Sequence, residues 1–332
     1  MEFGERPLGD AEGALLAHAV TLGGRRVAKG TRIDRTLVEA ARAEGLERLW
    51  VARPGPHDVP EAEAAAELGA ALAGPGVEAR PPVHGRVNIH ATADGLLLFD
   101  PGRLDAANRA TEAVGIATRP PFAPVATGEL VATVKVIPYA VEPEALAAVA
   151  AAGARLEVRP WRTGQRACLV TTIRAGEHTG GGKLEAKTAA VTRERLARLG
   201  MALDVAAPVP HAIAPLAAAL AAAEVDLVLV AGATATADRA DVIPAAITTA
   251  GGVVERVGMP VDPGNLLVLG RIAERPVVGL PGCARSPKRN GLDLVLERLA
   301  AGLPVTSELI AGMGVGGLLE ESGRPVPWGW NG

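Results

Sequence analysis

The stretch Asp226-Leu227-Val228-Leu229-Val230-Ala231-Gly232-Ala233-Thr234 joins an unbroken apolar run to a loop of small residues. Apolar side chains at successive positions are typical of a parallel strand that is covered on both faces. A helical pattern around Leu216 and Leu220 precedes this run, and another begins at Pro244. The stretch therefore predicts a buried strand of an α/β sheet, with a loop at its carboxyl end.

Strands and helices alternate on both sides of this stretch. The apolar run 167–170 precedes a helical pattern over 184–199, in which Leu184 and Leu196 share one face. Two further strands, 266–269 and 276–280, lead to a last helix. This alternation predicts a doubly wound, mostly parallel, three-layer α/β domain over residues 161–308. In such sheets, ligands bind beyond the carboxyl ends of the strands.

The first 160 residues predict two smaller modules. Residues 1–75 have the pattern of a small α/β module that ends at Gly74-Pro75-Gly76, and residues 76–160 have that of a β-rich accessory module. Residues 309–332 are predicted to form a flexible tail. They include Gly312–Gly317, a literal G-x-G-x-x-G match with too little chain behind it for a βαβ unit.

Composition excludes several classes of function. The net charge is −3 with no basic block, and aromatic residues make up 2%, which disfavours nucleic-acid binding. The two cysteines and six scattered histidines give no metal-ligand spacing. No signal-peptide layout or membrane-spanning stretch is visible. We therefore expect a cytoplasmic protein that binds neither nucleic acid nor membrane.

The loop after the central strand, residues 231–244, is the first candidate site. Its small side chains let a ligand approach the backbone, and the Thr hydroxyls and main-chain N–H groups can hold an anion. Asp238 and Asp241 could hold Mg²⁺ or accept hydrogen bonds from a ring N–H. For Asp241, capping of the following helix explains the residue equally well, whereas for Asp238 a functional role is favoured.

The other candidate loops follow other strands. In Leu280–Pro287, a Pro-Gly turn brings N–H groups to the sheet edge, and Arg285 adds a charge suited to phosphate, although a tight turn with a solvated Arg285 explains the same residues. Cys283 is predicted to pack, because no paired base is visible. The turn Pro263-Gly264-Asn265 needs no function by itself. Gly180–Lys183 is not a P-loop and suits an ordinary flexible loop or a lid.

Taken in order, three of these stretches resemble the molybdopterin-binding domain of molybdenum-cofactor biosynthesis proteins. They are the loop Gly232–Pro244, the turn Pro263–Asn265 and Leu280-Pro281-Gly282. The resemblance covers about residues 161–305. The whole chain is similar to the N-terminal region of proteins that fuse this domain to a molybdenum-cofactor cytidylyltransferase, above all in the segments 258–266 and 280–287.

The resemblance implies that molybdopterin lies across the strand ends of a fold of the molybdopterin-binding type. Asp238 and Asp241 are the implied catalytic residues, and Asp238 is the implied Mg²⁺ ligand. The implied binding residues are Gly232, Ala233, Thr234, Thr236, Gly264, Asn265, Pro281, Gly282, Cys283, Arg285 and Ser286.

Three functions are open at this point. The chain could bind molybdopterin and present it for maturation, or it could be a molybdotransferase that inserts molybdate or activates the pterin phosphate with Mg-ATP. It could also be a non-binding scaffold for a partner enzyme. The first is favoured, because Ala231-Gly232-Ala233-Thr234-Ala235 replaces the family's more Gly-rich loop, and the extra Cβ atoms restrict close phosphate approach. A cytidylyltransferase, a molybdoenzyme maturation partner and a second copy of the chain are the implied protein partners.

Overall fold

The computed structural model describes residues 1–174, 176 and 182–319. The predicted loop residues Gly180 and Gly181 lie outside this described part, as does the end of the predicted tail. The chain divides into two compact units, Met1–Pro160 and Trp161–Gly332. None of the helices in the described part is long and apolar enough to cross a membrane.

The first unit is built from short strands in antiparallel pairs and five helices. Its strands are β1 (Glu2–Pro7), β2 (Leu15–Leu16), β3 (Val20–Leu22), β4 (Arg25–Val27), β5 (Arg48–Arg53), β6 (Val59–Pro60), β7 (Val77–Ala79), β8 (Arg86–Ala91), β9 (Gly95–Leu98), β10 (Val114–Thr118), β11 (Pro124–Val125), β12 (Leu130–Val136), β13 (Ala140–Val141) and β14 (Glu157–Pro160). Its helices are α1 (Leu8–Ala11), α2 (Arg35–Ala43), α3 (Glu61–Leu72), α4 (Pro101–Ala110) and α5 (Pro143–Ala151).

Helix α3, which precedes the predicted boundary at residue 75, packs with strands that follow this boundary. Ala64, Leu68 and Leu72 of α3 are buried in the same core as the strands β8 and β12. A Cβ on Gly69 would lie 2.6 Å from Val87 Cγ1, so the helix approaches the sheet closely. The helix therefore groups with residues 76–160, and Gly74-Pro75-Gly76 marks the end of a helix within this core.

The second unit contains a mixed sheet of mostly parallel strands, as predicted. Its strands are β15 (Arg166–Ile173), β16 (Ala202–Val205), β17 (Val209–Pro210), β18 (Leu227–Ala231), β19 (Val253–Val257), β20 (Val268–Ile272) and β21 (Arg275–Gly279). Along the sheet the order is β16-β15-β18-β21-β20-β19, and β17 pairs with the end of β15. The strands from β16 to β21 in this order run parallel, whereas β20 and β19 add an antiparallel edge.

Helices cover both faces of this sheet, so the doubly wound three-layer prediction is confirmed. They are α6 (Lys183–Ala197), α7 (Ile213–Ala222), α8 (Val242–Thr249), α9 (Gly291–Ala300) and α10 (Ser307–Ala311). Leu196 of α6 and Leu292 of α9 pack in one core, and Leu216 of α7 and Ile247 of α8 pack in the core on the opposite face. All five residues of β18 are buried, as its unbroken apolar run predicts.

Two details of this unit differ from the sequence predictions. Leu184 at the start of α6 is 52% exposed, and the helix instead buries Thr188 and Arg195. Because these buried residues are polar, hydrophobic periodicity does not identify this part of the packed face. The predicted flexible tail also differs over residues 309–319. Ile310 and Met313 are buried in the core with α9, because α10 and a following short turn fold back onto the domain.

Candidate ligand-binding site

A cavity lies at the edge where β15, β18 and β21 end. Because these strands are parallel, their carboxyl ends meet at one edge, and the loops that follow β18 and β21 face each other there. The cavity has a volume of about 210 Å³. Its walls are formed by Thr188, Ala231, Gly232, Ala233, Thr234, Ala235, Leu280, Pro281, Gly282 and Arg285. The structure thus brings together six of the predicted binding residues.

One hydrogen bond joins the two loops. The Arg285 guanidinium, which is half-buried, donates from Nη2 to the Gly232 carbonyl oxygen at 3.0 Å. This hydrogen bond uses one of the five N–H groups of the guanidinium. A charged, planar donor group is thereby held in the wall of a cavity that small residues otherwise line, which suits an oxyanion.

Gly232 occupies a position that has no room for a side chain. A Cβ there would lie 2.7 Å from the Thr234 carbonyl oxygen and 3.1 Å from Ile243 Cδ1. The non-glycine residues from Ala233 to Thr236 have negative φ angles, so the loop reaches its shape without left-handed backbone. The alanines that replace glycines of the family pattern are accommodated for this reason.

Hydrogen-bonded polar side chains support the loop that follows β18. The hydroxyl Oγ1 of Thr172, at the end of β15, accepts a hydrogen bond from Ala233 N at 2.9 Å and lies 2.8 Å from His211 Nδ1. His211 Nε2 lies 2.9 Å from Thr234 Oγ1. Neither Thr172 nor His211 was predicted from the sequence. Their position at the end of strand β15 and directly after strand β17 is the signal in the sequence that could have identified them.

Arg195 supports the second loop. Its side chain, which is 4% exposed, donates to the carbonyl oxygens of Ala284, Ser286 and Lys288 and pairs with Asp293 Oδ1 at 2.9 Å. These carbonyls flank Arg285 along the chain. Arg195 was not predicted from the sequence either, because an arginine in an amphipathic helix ordinarily indicates a solvated face.

The two predicted catalytic carboxylates do not line the cavity. Asp241 caps α8 by accepting from Val242 N at 2.7 Å, and its other oxygen accepts from Ala237 N at 3.2 Å. Asp238 is exposed and accepts from Ala240 N at 2.8 Å. Within the described part of the chain, no group of three or more His, Cys, Asp or Glu residues could hold a metal ion. Magnesium is usually held by one or two carboxylates together with waters and substrate phosphates, and the Asp238 carboxylate is already engaged with a backbone N–H group.

Other predicted residues also lie outside the cavity wall. Thr236 is buried. The backbone carbonyl oxygen of Asn265 accepts a hydrogen bond from Met259 N at 2.9 Å. Gly264 packs against α9, since a Cβ there would lie 2.7 Å from Gly291 N. The Pro-Gly-Asn turn therefore packs against α9 in this structure.

The residues after Gly282 have structural partners too. Burial raises the pKa of the Cys283 thiol, which keeps the thiol protonated and agrees with its predicted packing role. Ser286 Oγ accepts from Lys288 N at 3.3 Å. Both residues thus belong to the loop that carries Arg285, and neither lines the cavity.

A larger cavity of about 580 Å³ lies at the opposite, amino edge of the sheet, where Gln165, Asp226 and Pro276 contribute to its walls. Ligands of open α/β sheets bind at the carboxyl edge, where strand-to-helix loops place polar groups. We therefore assign the candidate site to the smaller cavity.

Comparison with known proteins places this domain in a family. Residues 169–301 match the model of a family described as the probable molybdopterin binding domain. No curated protein matches the chain. Among solved structures, a molybdopterin biosynthesis MoeA protein from Pyrococcus horikosii is 15% identical over 91% of this chain and 76% of that chain, with a TM-score of 0.32. A molybdenum cofactor biosynthesis protein from Pyrococcus furiosus is 12% identical over 92% of this chain and 66% of that chain, with a TM-score of 0.26.

The family match runs from within β15 to the end of α9 and includes both loops that line the cavity. Residues 169–301 of the second unit therefore match the probable molybdopterin-binding domain family over the part of the chain that carries the cavity.

Proposed function

We propose that this chain binds molybdopterin in the cavity between the loops that follow β18 and β21, and presents it for maturation. The family match supports a role in molybdenum-cofactor biosynthesis. The observation that carries the proposal is the bond from Arg285 to the Gly232 carbonyl, which places a guanidinium in the wall of a cavity at the ligand-binding edge of the sheet.

The size of the cavity indicates which part of the ligand it holds. Pockets that enclose a drug-sized molecule have volumes of roughly 300–1,000 Å³, and this cavity has about 210 Å³. It therefore suits one end of molybdopterin, with the remainder along the strand ends. Arg285 makes the phosphate the end that fits, because a guanidinium binds phosphate oxygens through two parallel hydrogen bonds.

The positions of the two predicted catalytic carboxylates, Asp238 and Asp241, favour ligand binding without group transfer. Both Asp238 and Asp241 accept hydrogen bonds from nearby backbone N–H groups, and neither lines the cavity. The side chains that do line it are small, apart from those of Thr188, Thr234, Leu280 and Arg285. These residues can hold and orient a ligand, while the recipient of the cofactor, such as a cytidylyltransferase or a maturation enzyme, supplies the next reaction.

The proposal is tested by anaerobic purification of the full chain from a host that makes molybdopterin. Iodine oxidation of the protein converts bound molybdopterin into a fluorescent pterin, which is quantified per mole of chain. We expect pterin in the wild type and a loss of about 10-fold or more in Arg285→Met, because a hydrogen bond to a charged group contributes roughly 1.5–3 kcal/mol.

Arg271→Met is the matched control, since Arg271 is an exposed arginine of the same unit that lines the cavity at the opposite edge. Wild-type protein without pterin, and without uptake of supplied molybdopterin, would sink the proposal. Turnover of Mg-ATP or molybdate that Asp238→Ala abolishes would show an enzyme in place of a carrier.

A further inference from the structure

The side chains of Thr172, His211 and Thr234 form a hydrogen-bonded chain that ends in the cavity wall. Thr172 is 2% exposed, and its Oγ1 lies 2.8 Å from His211 Nδ1. His211 Nε2 lies 2.9 Å from Oγ1 of Thr234, a residue that lines the cavity. His211 does not line the cavity itself, and Thr234 is the lining residue with which its ring makes a hydrogen bond.

The protons of this chain can be assigned by counting donors and acceptors. The Thr172 hydroxyl already accepts a hydrogen bond from Ala233 N at 2.9 Å, and its own proton also needs an acceptor because a buried, unpaired donor is costly. Among the described residues, His211 Nδ1 is the acceptor that the structure offers to this proton. A neutral imidazole that accepts at Nδ1 carries its proton at Nε2. This Nε2–H group then donates to Thr234 Oγ1.

We infer that His211 is a positioning residue that makes the Thr234 hydroxyl a hydrogen-bond donor toward the cavity. Because Thr234 Oγ1 accepts from His211, the hydroxyl proton of Thr234 is left for a ligand. Together with Arg285, the cavity then presents donors and selects a ligand end that carries acceptor oxygens, such as a phosphate. The choice of ligand rests on the proposed function, whereas the proton positions do not.

The proton positions are tested directly by ¹⁵N NMR of the full chain labelled at its histidine ring nitrogens. We expect His211, assigned by its loss in His211→Leu, to be the Nε2–H tautomer at neutral pH. We also expect Thr172→Val to shift its Nδ1 resonance, because this substitution removes the donor to Nδ1. A His211 that carries its proton at Nδ1 would overturn the inference, whether or not the chain binds a pterin.

The effect on the ligand is tested with inorganic phosphate as the probe and with molybdopterin retained on purification as a second readout. We expect Thr234→Val to weaken phosphate binding about 10-fold or more, since it removes one donor to a charged ligand. Thr234→Ser keeps the hydroxyl and should retain binding. His211→Leu should weaken binding, and His211→Gln should restore part of it because an amide N–H can replace Nε2–H.

A double-mutant cycle separates positioning from a general effect on folding. If His211 acts through Thr234, His211→Leu has little further effect on binding in the Thr234→Val background. Additive losses in the two variants would show that His211 merely stabilises the fold, and would contradict the inference. If phosphate and molybdopterin both fail to bind the wild type, the proposed function fails and the tautomer alone decides the inference.

Discussion

Gly232 and Gly282 stand on opposite walls of the same cavity and differ in the space around them. A Cβ on Gly232 would lie 2.7 Å from the Thr234 carbonyl oxygen, whereas a Cβ on Gly282 would meet no atom within 4 Å. We therefore expect Gly232→Ala to lower the free energy of unfolding by about 1–3 kcal/mol through overpacking. Gly282→Ala should change it by less than about 0.5 kcal/mol.

Urea unfolding of the two variants provides the measurement. The pair is matched in residue type, domain and cavity, so the difference isolates the close contact at residue 232. Equal free energies of unfolding for the two variants would show that the loop moves away from the added methyl group without cost, and that the backbone geometry at Gly232 is not a constraint.

The residues that line the cavity were easier to predict from the sequence than the residues that hold them in place. Gly232, Thr234 and Arg285 follow buried strands, and the position of a loop after a strand can be derived from hydrophobic pattern alone. Thr172 and His211 could not be identified, because their role depends on contacts between separate parts of the chain. Asp241 had two explanations, and in the structure it makes the capping contact.

At the scale of elements, α6 holds the loop that follows β21 through Arg195. This nearly buried guanidinium gathers three loop carbonyl oxygens and the Asp293 carboxylate. We expect Arg195→Met to lower the free energy of unfolding by about 3–5 kcal/mol, because it leaves Asp293 Oδ1 and these carbonyls without their charged donor. Hydrogen exchange of the Ala284 and Ser286 amides should accelerate in the same variant.

Arg198→Met is the control on the same helix. Arg198 pairs with Glu194 at 3.0 Å, but both side chains are more than 60% exposed, so this pair contributes less than about 1 kcal/mol. If the loop amides exchange equally fast in the wild type and in Arg195→Met, Arg195 does not hold this loop in place. Its contribution would then be limited to the ion pair with Asp293.

The last long helix, α9, carries a second buried charge whose effect depends on pH. Burial raises the pKa of the Glu297 carboxyl, although two contacts with Arg289, one of them at 2.8 Å, oppose this rise. In Arg289→Met the opposing charge is lost, so the pKa of Glu297 should rise further. We expect a loss of about 2–3 kcal/mol in the free energy of unfolding at neutral pH, since the arginine is partly exposed.

The sign of the pH dependence follows from proton binding. A carboxyl with a raised pKa in the folded state binds more protons folded than unfolded, so its contribution to stability is greatest below the unfolded pKa and declines as pH rises through the folded pKa. The deficit of Arg289→Met relative to the wild type should therefore be smallest in acid and grow toward neutral pH. Urea unfolding between acid and neutral pH measures this deficit, and a constant deficit would contradict the assignment to Glu297.

Helices and strands could be predicted from the sequence where apolar residues form the periodic pattern of a buried face. They could not be predicted where polar residues make up part of that face. Strand β18 and helix α9 agree with their apolar patterns. Helix α6 buries Thr188, Thr192 and Arg195, which hydrophobic periodicity cannot identify as a packed face. Helix α10 was missed for a related reason, since two residues, Ile310 and Met313, account for the burial of its segment.

At the scale of the whole molecule, each unit has its own apolar cores. The cores of residues 167–313 contain no residue of the first unit, within the described part of the chain. We therefore expect a fragment that begins at Trp161 to fold cooperatively on its own and to keep the hydrogen bonds of His211. Its ¹⁵N histidine spectrum, compared with that of the full chain, measures this, and a spectrum of unfolded histidines would show that residues 1–160 are required for folding.

The bond from Arg285 has a consequence for how this site diverges among relatives. Arg285 contacts a main-chain oxygen of residue 232, and every amino acid carries this oxygen. Residues 233 and 235 can therefore be exchanged during evolution while the two loops stay joined. A glycine directly after β18, paired with an arginine six residues after the end of β21, is therefore the more durable mark of common descent.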